Sequence, residues 1–208
     1  MSYKRSSLMQ ERMEKNRKMI LQSARELIAQ GGFKDAQIQA IADRAGVSSG
    51  LVYRYFDNKN QVLIEVLNDA ITFEVVILNH IAQGQLNPTQ KLHKAVTTFV
   101  RRAMNSSQLA YSLMFEPVGP ELEHERFHSK QLIKQSMTEI LATGKTTGEF
   151  SFEDLNTAAL CVVGAMTFAV VEPLNPSLNV IFDESYKAYF VKQIADFCVN
   201  AVKRLEGI

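Results

Sequence analysis

Crosslinks, membrane spans and secretory leaders are all poorly provided for in this sequence. Only two cysteines occur in 208 residues, Cys161 and Cys198, far apart and each inside an apolar helical pattern. A disulfide framework needs more of them and a secreted context, so both read as small buried hydrophobes in a reducing compartment. The stretch from Met1 to Arg17 is polar and basic without an apolar core, so a secretory signal is not expected. The longest uncharged run of the carboxy-terminal half, residues 155–171, is interrupted by Asn156, Thr157 and Thr167. A spanning helix needs about 20 mostly apolar residues, so no membrane partner is expected and the chain is read as soluble and cytoplasmic. Strand signals are equally scarce: only residues 179–182 have local strand character, too few to make a sheet.

Net charge is scarce as well, with 23 Lys plus Arg against 22 Asp plus Glu, a total of +1. The total conceals a division. Residues 1–60 carry eleven bases and six acids, a net +5, and residues 61–208 carry −4. A basic amino-terminal quarter joined to an acidic remainder implies two parts with different partners. The 46% of apolar residues excludes a disordered chain and is enough for a substantial core.

What the sequence does contain is helical spacing. Ile20, Ala24, Leu27 and Ile28 form one stripe, ended by Gly31-Gly32. Ile38, Ile41, Ala42 and Ala45 form a second, stopped by Gly46, after which Ser48 is a candidate N-cap for a short helix through Tyr55. Asp57 or Asn58 can cap a longer fourth helix. The five prolines, Pro88, Pro117, Pro120, Pro173 and Pro176, mark further boundaries, with helices expected near 88–104, 106–115, 120–142, 152–172 and 183–205 and a break at Gly144 and Gly148. The fold class is all-α, with about nine helices. The expected organisation is a basic arm over 1–14, a helix-turn-helix unit over 15–60 and a helical body over 61–208.

Two short amphipathic helices around Gly46 match a helix-turn-helix, whose second helix enters the DNA major groove. Ser48, Ser49 and Gly50 keep the start of that helix free of bulk, so hydroxyls and bare N–H groups can reach phosphate. Tyr53 and Tyr55 offer hydroxyls on rigid rings, and Arg54 offers a fork for guanine or phosphate. Val52 and Phe56 should anchor the helix, while Lys59 is placed to meet the backbone.

Over residues 41–59 the chain reads Ile-Ala, then Ala45-Gly46-Val47-Ser48, Gly50, Tyr53-Arg54-Tyr55-Phe56 and Lys59. This pattern, with Gly31-Gly32-Phe33 before it, resembles the DNA-binding signature of the TetR family of bacterial repressors. It departs from the family in one place. The family's usual Thr or Ser pair at the start of the second helix corresponds to Ala36 and Gln37, with Asp35 as the alternative cap and Gln37 and Gln39 as substitute donors. The resemblance implies DNA contacts by Gln37, Ser48, Ser49, Gly50, Leu51, Tyr53, Arg54, Tyr55 and Lys59. It further implies a double-stranded, palindromic DNA operator, a homodimer and a ligand-binding body. Residues 109–118 also resemble a stretch found in some of these regulators.

Residues 158–171 are apolar almost all round, and such a helix must be covered on both sides, for which a twofold partner is the natural cover. Cys161, Gly164 and Ala165, with the stripe Phe190, Ile194, Phe197, Ala201 and Leu205, are the expected dimer surface. The other reading makes this the central helix of a monomeric core. Phe73, Phe99, Tyr111, Met114, Phe115, Phe127, Met166 and Phe168 are the candidate lining of a pocket for a small, largely apolar effector.

His124-Glu125-x-x-His128 fits the zinc-hydrolase spacing, two imidazoles at i, i+4 with a glutamate as general base. No further histidine follows to supply a third ligand, and the surrounding run is charged as a solvated face would be. The expected function is therefore a DNA-binding regulator, a repressor released by its effector, with no catalytic residue, metal or cofactor assigned. A zinc hydrolase and a ligand-binding protein with vestigial DNA binding are the alternatives.

Overall fold

The computed structural model describes residues 2–178 and 182–204, with side chains from residue 8 onward. Among the described residues there are nine α-helices of five residues or more and one four-residue turn of helix. They are α1 (Ser2–Gly31), α2 (Ile38–Ala45), α3 (Ser49–Tyr53), α4 (Lys59–Gln83), α5 (Pro88–Asn105), α6 (Ser107–Met114), α7 (Pro120–Thr147), α8 (Leu155–Phe168), the short α9 (Val171–Leu174) and α10 (Glu184–Val202). Local chemistry fixes many of the starts. Asn58, Asp154 and Asp183 each accept a backbone N–H three residues on, and Asn87 forms a reciprocal capping box with Gln90 ahead of Pro88. One isolated antiparallel bridge, Phe150 with Lys203, ties the end of α10 to the loop after α7.

Two buried clusters form. The first gathers Ile20, Ala24 and Ile28 of α1, Ile41 and Ala45 of α2, Val52, Phe56, and Val62 to Leu67 of α4. The second joins Leu78 and Ile81 of α4 with α5, the middle of α7, the inner faces of α8 and α10, and Leu174. At about 1.5 Å per residue, the 25 residues of α4 run about 37 Å and so belong to both clusters. Leu109 and Leu113 of α6 and Leu122 of α7 lie in the first cluster, although the chain reaches them far from the amino terminus. The amino-terminal helical unit is thus bedded directly on α6.

Several expected boundaries move. The segment 1–14 is the first part of α1, because no glycine or proline occurs before Gly31 to interrupt helix propagation. Helix α7 passes through Gly144, where the Phe150 ring packs so closely that a Cβ would lie 2.0 Å from it, and stops at Gly148 with φ 79°. Helix α8 is 14 residues, about 21 Å, so the apolar stretch Leu155–Leu178 is broken into pieces too short to span a bilayer core of about 30 Å. Residues 179–181, which held most of the local strand character, and Leu205 lie outside the described residues.

Candidate nucleic-acid interface and effector cavity

Gly46 ends α2 in the left-handed region, φ 65° and ψ 33°, and its backbone N–H returns to the carbonyls of Ala42 and Asp43. A side chain there would meet nothing within 4 Å, so glycine is required by the backbone angle and not by space. Ser48 then caps α3, its hydroxyl accepting the Leu51 N–H at 3.2 Å. Val52 and Phe56 are buried, as their i, i+4 spacing predicts. That leaves Ser48, Gly50, Tyr53 and Arg54 exposed on the outer face, Tyr53 at 55%.

The other candidates are partly committed within the chain. Ser49 donates its hydroxyl to Gln39 at 2.7 Å, and Gln39 donates to Asp43, so one amide links α2 to α3. The Tyr55 hydroxyl is half-buried and accepts from Asn16 at 3.4 Å, and Leu51 is likewise half-buried. Lys59 points back into the fold. Its Nζ donates to the Phe33 carbonyl at 3.0 Å, and burial pushes its pKa below the ordinary lysine value, with Glu116 opposing the shift. Neither Asp35 nor Gln37 caps α2: Gln37 donates to the Lys34 carbonyl instead, and the first N–H groups of α2 carry no side-chain cap.

The junction between unit and body is polar. Both oxygens of Glu116, in the loop after α6, accept the Phe33 backbone N–H at 3.0 and 3.1 Å. Gly32, at φ 84°, permits this approach: a Cβ there would lie 2.7 Å from Glu116. Arg126 of α7 organises the same corner from the other side. It is 5% exposed and donates to the carbonyls of Leu113 and Glu116 at 2.9 Å, of Ser112 at 3.3 Å, and to Glu123 at 2.6 Å. A guanidinium suits this post because its fixed fork can serve several carbonyls at a helix end at once. None of these roles was assigned from the sequence. The only local signal was an acid, Glu116, standing in an otherwise apolar stretch.

Beneath that corner lies a cavity of about 340 Å³ between α1, α4, α5, α6, α7 and the end of α8. Of the candidate pocket residues, Phe73, Phe99, Met114, Phe115 and Phe168 line it. Tyr111, Phe127 and Met166 do not. Phe127 is 60% exposed because α7 turns Leu122, Arg126, Ser129 and Ile133 inward, and Met166 is wholly enclosed in the body core. Tyr111 packs against that core instead, beside Phe115. The wall also holds polar groups the apolar reading missed, Arg25, Glu74, Arg102, Arg126 and Lys130. Leu67, Leu109 and Leu113 belong at once to this wall and to the core of the amino-terminal unit.

On the far side, α8 and α10 leave an apolar face uncovered. Leu160, Tyr189 and Phe197 are 57 to 65% exposed, and Cys161, Ala165, Phe197 and Ala201 line a groove between the two helices. Gly164 is exposed there with open space above it. Two residues expected on this face turn inward: Ile194 is buried in the body core, and Phe190 packs against that core with its ring stacked on Tyr186. His124 and His128 themselves lie on the solvent side of α7, both exposed, with the buried Arg126 between them. No group of three His, Cys, Asp or Glu side chains able to hold a metal occurs among the described residues.

A glycine-turned helix pair, set on a long first helix and joined through α4 and α6 to a hollow helical body, defines a helix-turn-helix protein of the two-part, all-α kind. Residues 20–66 match the family model described as bacterial regulatory proteins, tetR family, so the helix-turn-helix unit is similar to the one that defines that family. It is 31% identical over 109 residues to the HTH-type transcriptional repressor KstR of Mycobacterium tuberculosis, covering 52% of this chain and 49% of that protein. The chain thus spans about half the length of that curated relative. Its fold is similar to that of the fatty acid degradation regulator FadR from Bacillus halodurans, with TM-score 0.76 and 22% identity over 88% of this chain and 94% of the other. It is also similar to FadR from Bacillus subtilis, solved in complex with stearoyl-CoA, with TM-score 0.74 and 20% identity over 87% and 96% of the two chains.

Proposed function

We propose that this protein is a sequence-specific, cytoplasmic transcriptional regulator, a repressor whose homodimer leaves a palindromic operator when a largely apolar small molecule fills the cavity. The observation that carries the reading is the shared wall: Leu67, Leu109 and Leu113 face the cavity and also pack the core beneath α2 and α3. An occupant that moves α6 therefore acts on the seat of the DNA-binding unit, with the Glu116–Phe33 bonds as the polar link. A ligand that favours one arrangement of α6 over another shifts the population between DNA-competent and released states.

On the DNA side, the exposed Tyr53 and Arg54 are the groups free to meet DNA, with Ser48 and Gly50 giving backbone access. Gln37, Ser49, Leu51, Tyr55 and Lys59 hold the unit in shape, and Ser49 and Gln37 reach DNA only by exchanging bonds they make within the chain. The uncovered face of α8 and α10 is the dimer surface in this reading, through Cys161, Gly164, Ala165, Phe197 and Ala201, and it sets the spacing of the two α3 helices. Support for an acyl-chain effector comes from the apolar cavity and from the stearoyl-CoA named for the Bacillus subtilis structure.

Selection of genomic fragments by the full-length protein tests this. A palindromic sequence should be enriched, Tyr53→Phe should weaken binding to all sequences alike, and Arg54→Ala should relax the preference at one position of each half-site. Recovery of fragments without a common sequence would overturn the proposal.

A further inference from the structure

The cavity contains a carboxylate that its own chain only half satisfies. Glu74 of α4 and Arg102 of α5 both line the wall, and Arg102 Nε donates to Glu74 Oε1 at 2.7 Å. The guanidinium is held in turn by the Phe73 ring, whose centroid lies 4.7 Å away. Glu74 Oε2 is shut off from solvent and has no hydrogen-bond partner, the one such side-chain atom among the described residues. A buried polar atom left this way is costly and calls for a cause. Glu74 itself lines the cavity, so a turn of its carboxylate presents Oε2 to an occupant.

The partner for Oε2 should be neutral. Glu74 already balances Arg102, so a second cation would bring uncompensated positive charge beside a guanidinium, whereas a hydroxyl or an amide N–H completes the carboxylate without changing the charge. Of the other cations on the wall, Arg126 is spent on the α6 carbonyls. Arg25 and Lys130 make no ion pair among the described residues, which leaves them to meet an anionic end. We propose that the effector is an amphiphile with an apolar chain, an anionic end and a neutral hydrogen-bond donor received by Glu74 Oε2. This rests on the regulator reading and narrows its ligand from apolar molecules at large to donor-bearing ones.

Three probes that share a twelve-carbon chain and a carboxylate test it: dodecanoate, 3-hydroxydodecanoate and N-dodecanoylglycine, titrated calorimetrically into the full-length protein. The second adds a hydroxyl and the third an amide N–H, so the two arms separate the possible sources of the donor. At least one should bind about tenfold or more tighter than dodecanoate, since a site built to accept a hydrogen bond penalises a ligand that lacks the donor. Glu74→Met should abolish that preference. Glu74→Gln, which keeps the shape and loses the charge, should narrow it, and serves if the first variant does not fold. Equal affinity for all three probes, no measurable binding of any, or a preference that survives in the folded variants would overturn the assignment. Operator binding by the same preparations separates the two claims: wild-type binding to operator without discrimination between probes rejects only this one.

Discussion

Replacing Arg126 by Met removes the group that closes the carboxy-terminal end of α6 while keeping an unbranched apolar stem. Three backbone carbonyls, of Ser112, Leu113 and Glu116, lose a charged donor in a region where Arg126 itself is 5% exposed. Hydrogen bonds to charged groups contribute about 1.5–3 kcal/mol each but are not additive when one side chain makes them all. The bond to Glu123 adds little, because that carboxylate is 54% exposed and such a pair is worth about 0–1 kcal/mol. Removing the charge also lifts its own desolvation cost, which leaves a net loss of about 3 kcal/mol. For a chain of this size each kcal/mol moves Tm by about 2–4 °C, so the variant should melt about 6–12 °C lower. Urea titration should show a lower midpoint with an unchanged slope. Arg126→Lys should recover less than half of the loss, because an ammonium is a point charge without the fork. A deficit under about 1 kcal/mol in Arg126→Met, or full recovery by Lys, would refute the view that this guanidinium holds α6 in place.

Gly46→Ala should cost about 1–2 kcal/mol in denaturant unfolding, the penalty of a left-handed angle with a Cβ, since no neighbour obstructs the added methyl. Lys59→Met should destabilise the protein by about 1 kcal/mol through the lost bond to the Phe33 carbonyl, and weaken operator binding alike on all sequences. The unchanged protein should sediment as a dimer, and Phe197→Glu, on the open face of α10, should sediment as a monomer and lose operator affinity with it. Under native conditions Cys198, whose thiol burial raises to about 11, should resist alkylation at pH 8, and Cys161 should be shielded by dimer formation and react quickly in the Phe197→Glu variant.

The DNA-binding unit was legible in the sequence because its determinants are local. The stripe Ile41, Ala42, Ala45, the turn at Gly46 and the Ser48 cap all lie within a few residues of what they control. The junction was not legible. Glu116 reaches Phe33 across 83 residues and Arg102 reaches Glu74 across 28, and no periodicity marks which charged residue will find a distant partner. The same reason explains Lys59, which the sequence assigns to the DNA backbone and which the fold bonds to the Phe33 carbonyl. Helical spacing located the faces of α7 and α10 in outline but not which neighbour covers them, so Phe127 was placed inside and Ile194 outside when packing does the reverse. The segment 1–14 was read as an arm from its charge alone, although its freedom from glycine and proline permits the helix that forms.

The account turns on α3 meeting a specific DNA sequence while the cavity governs that contact. Fluorescence anisotropy of the 208-residue protein on an operator recovered from genomic fragments, titrated over a range of salt, tests this most directly. Affinity should fall steeply and linearly with log salt concentration, by a slope of about −0.9 for each phosphate contact, and stay well above that for a scrambled duplex. Addition of the donor-bearing twelve-carbon probe that binds best should lower operator affinity without changing the slope for scrambled DNA. Equal affinity for operator and scrambled duplex, or an operator affinity that no cavity ligand alters, would contradict it.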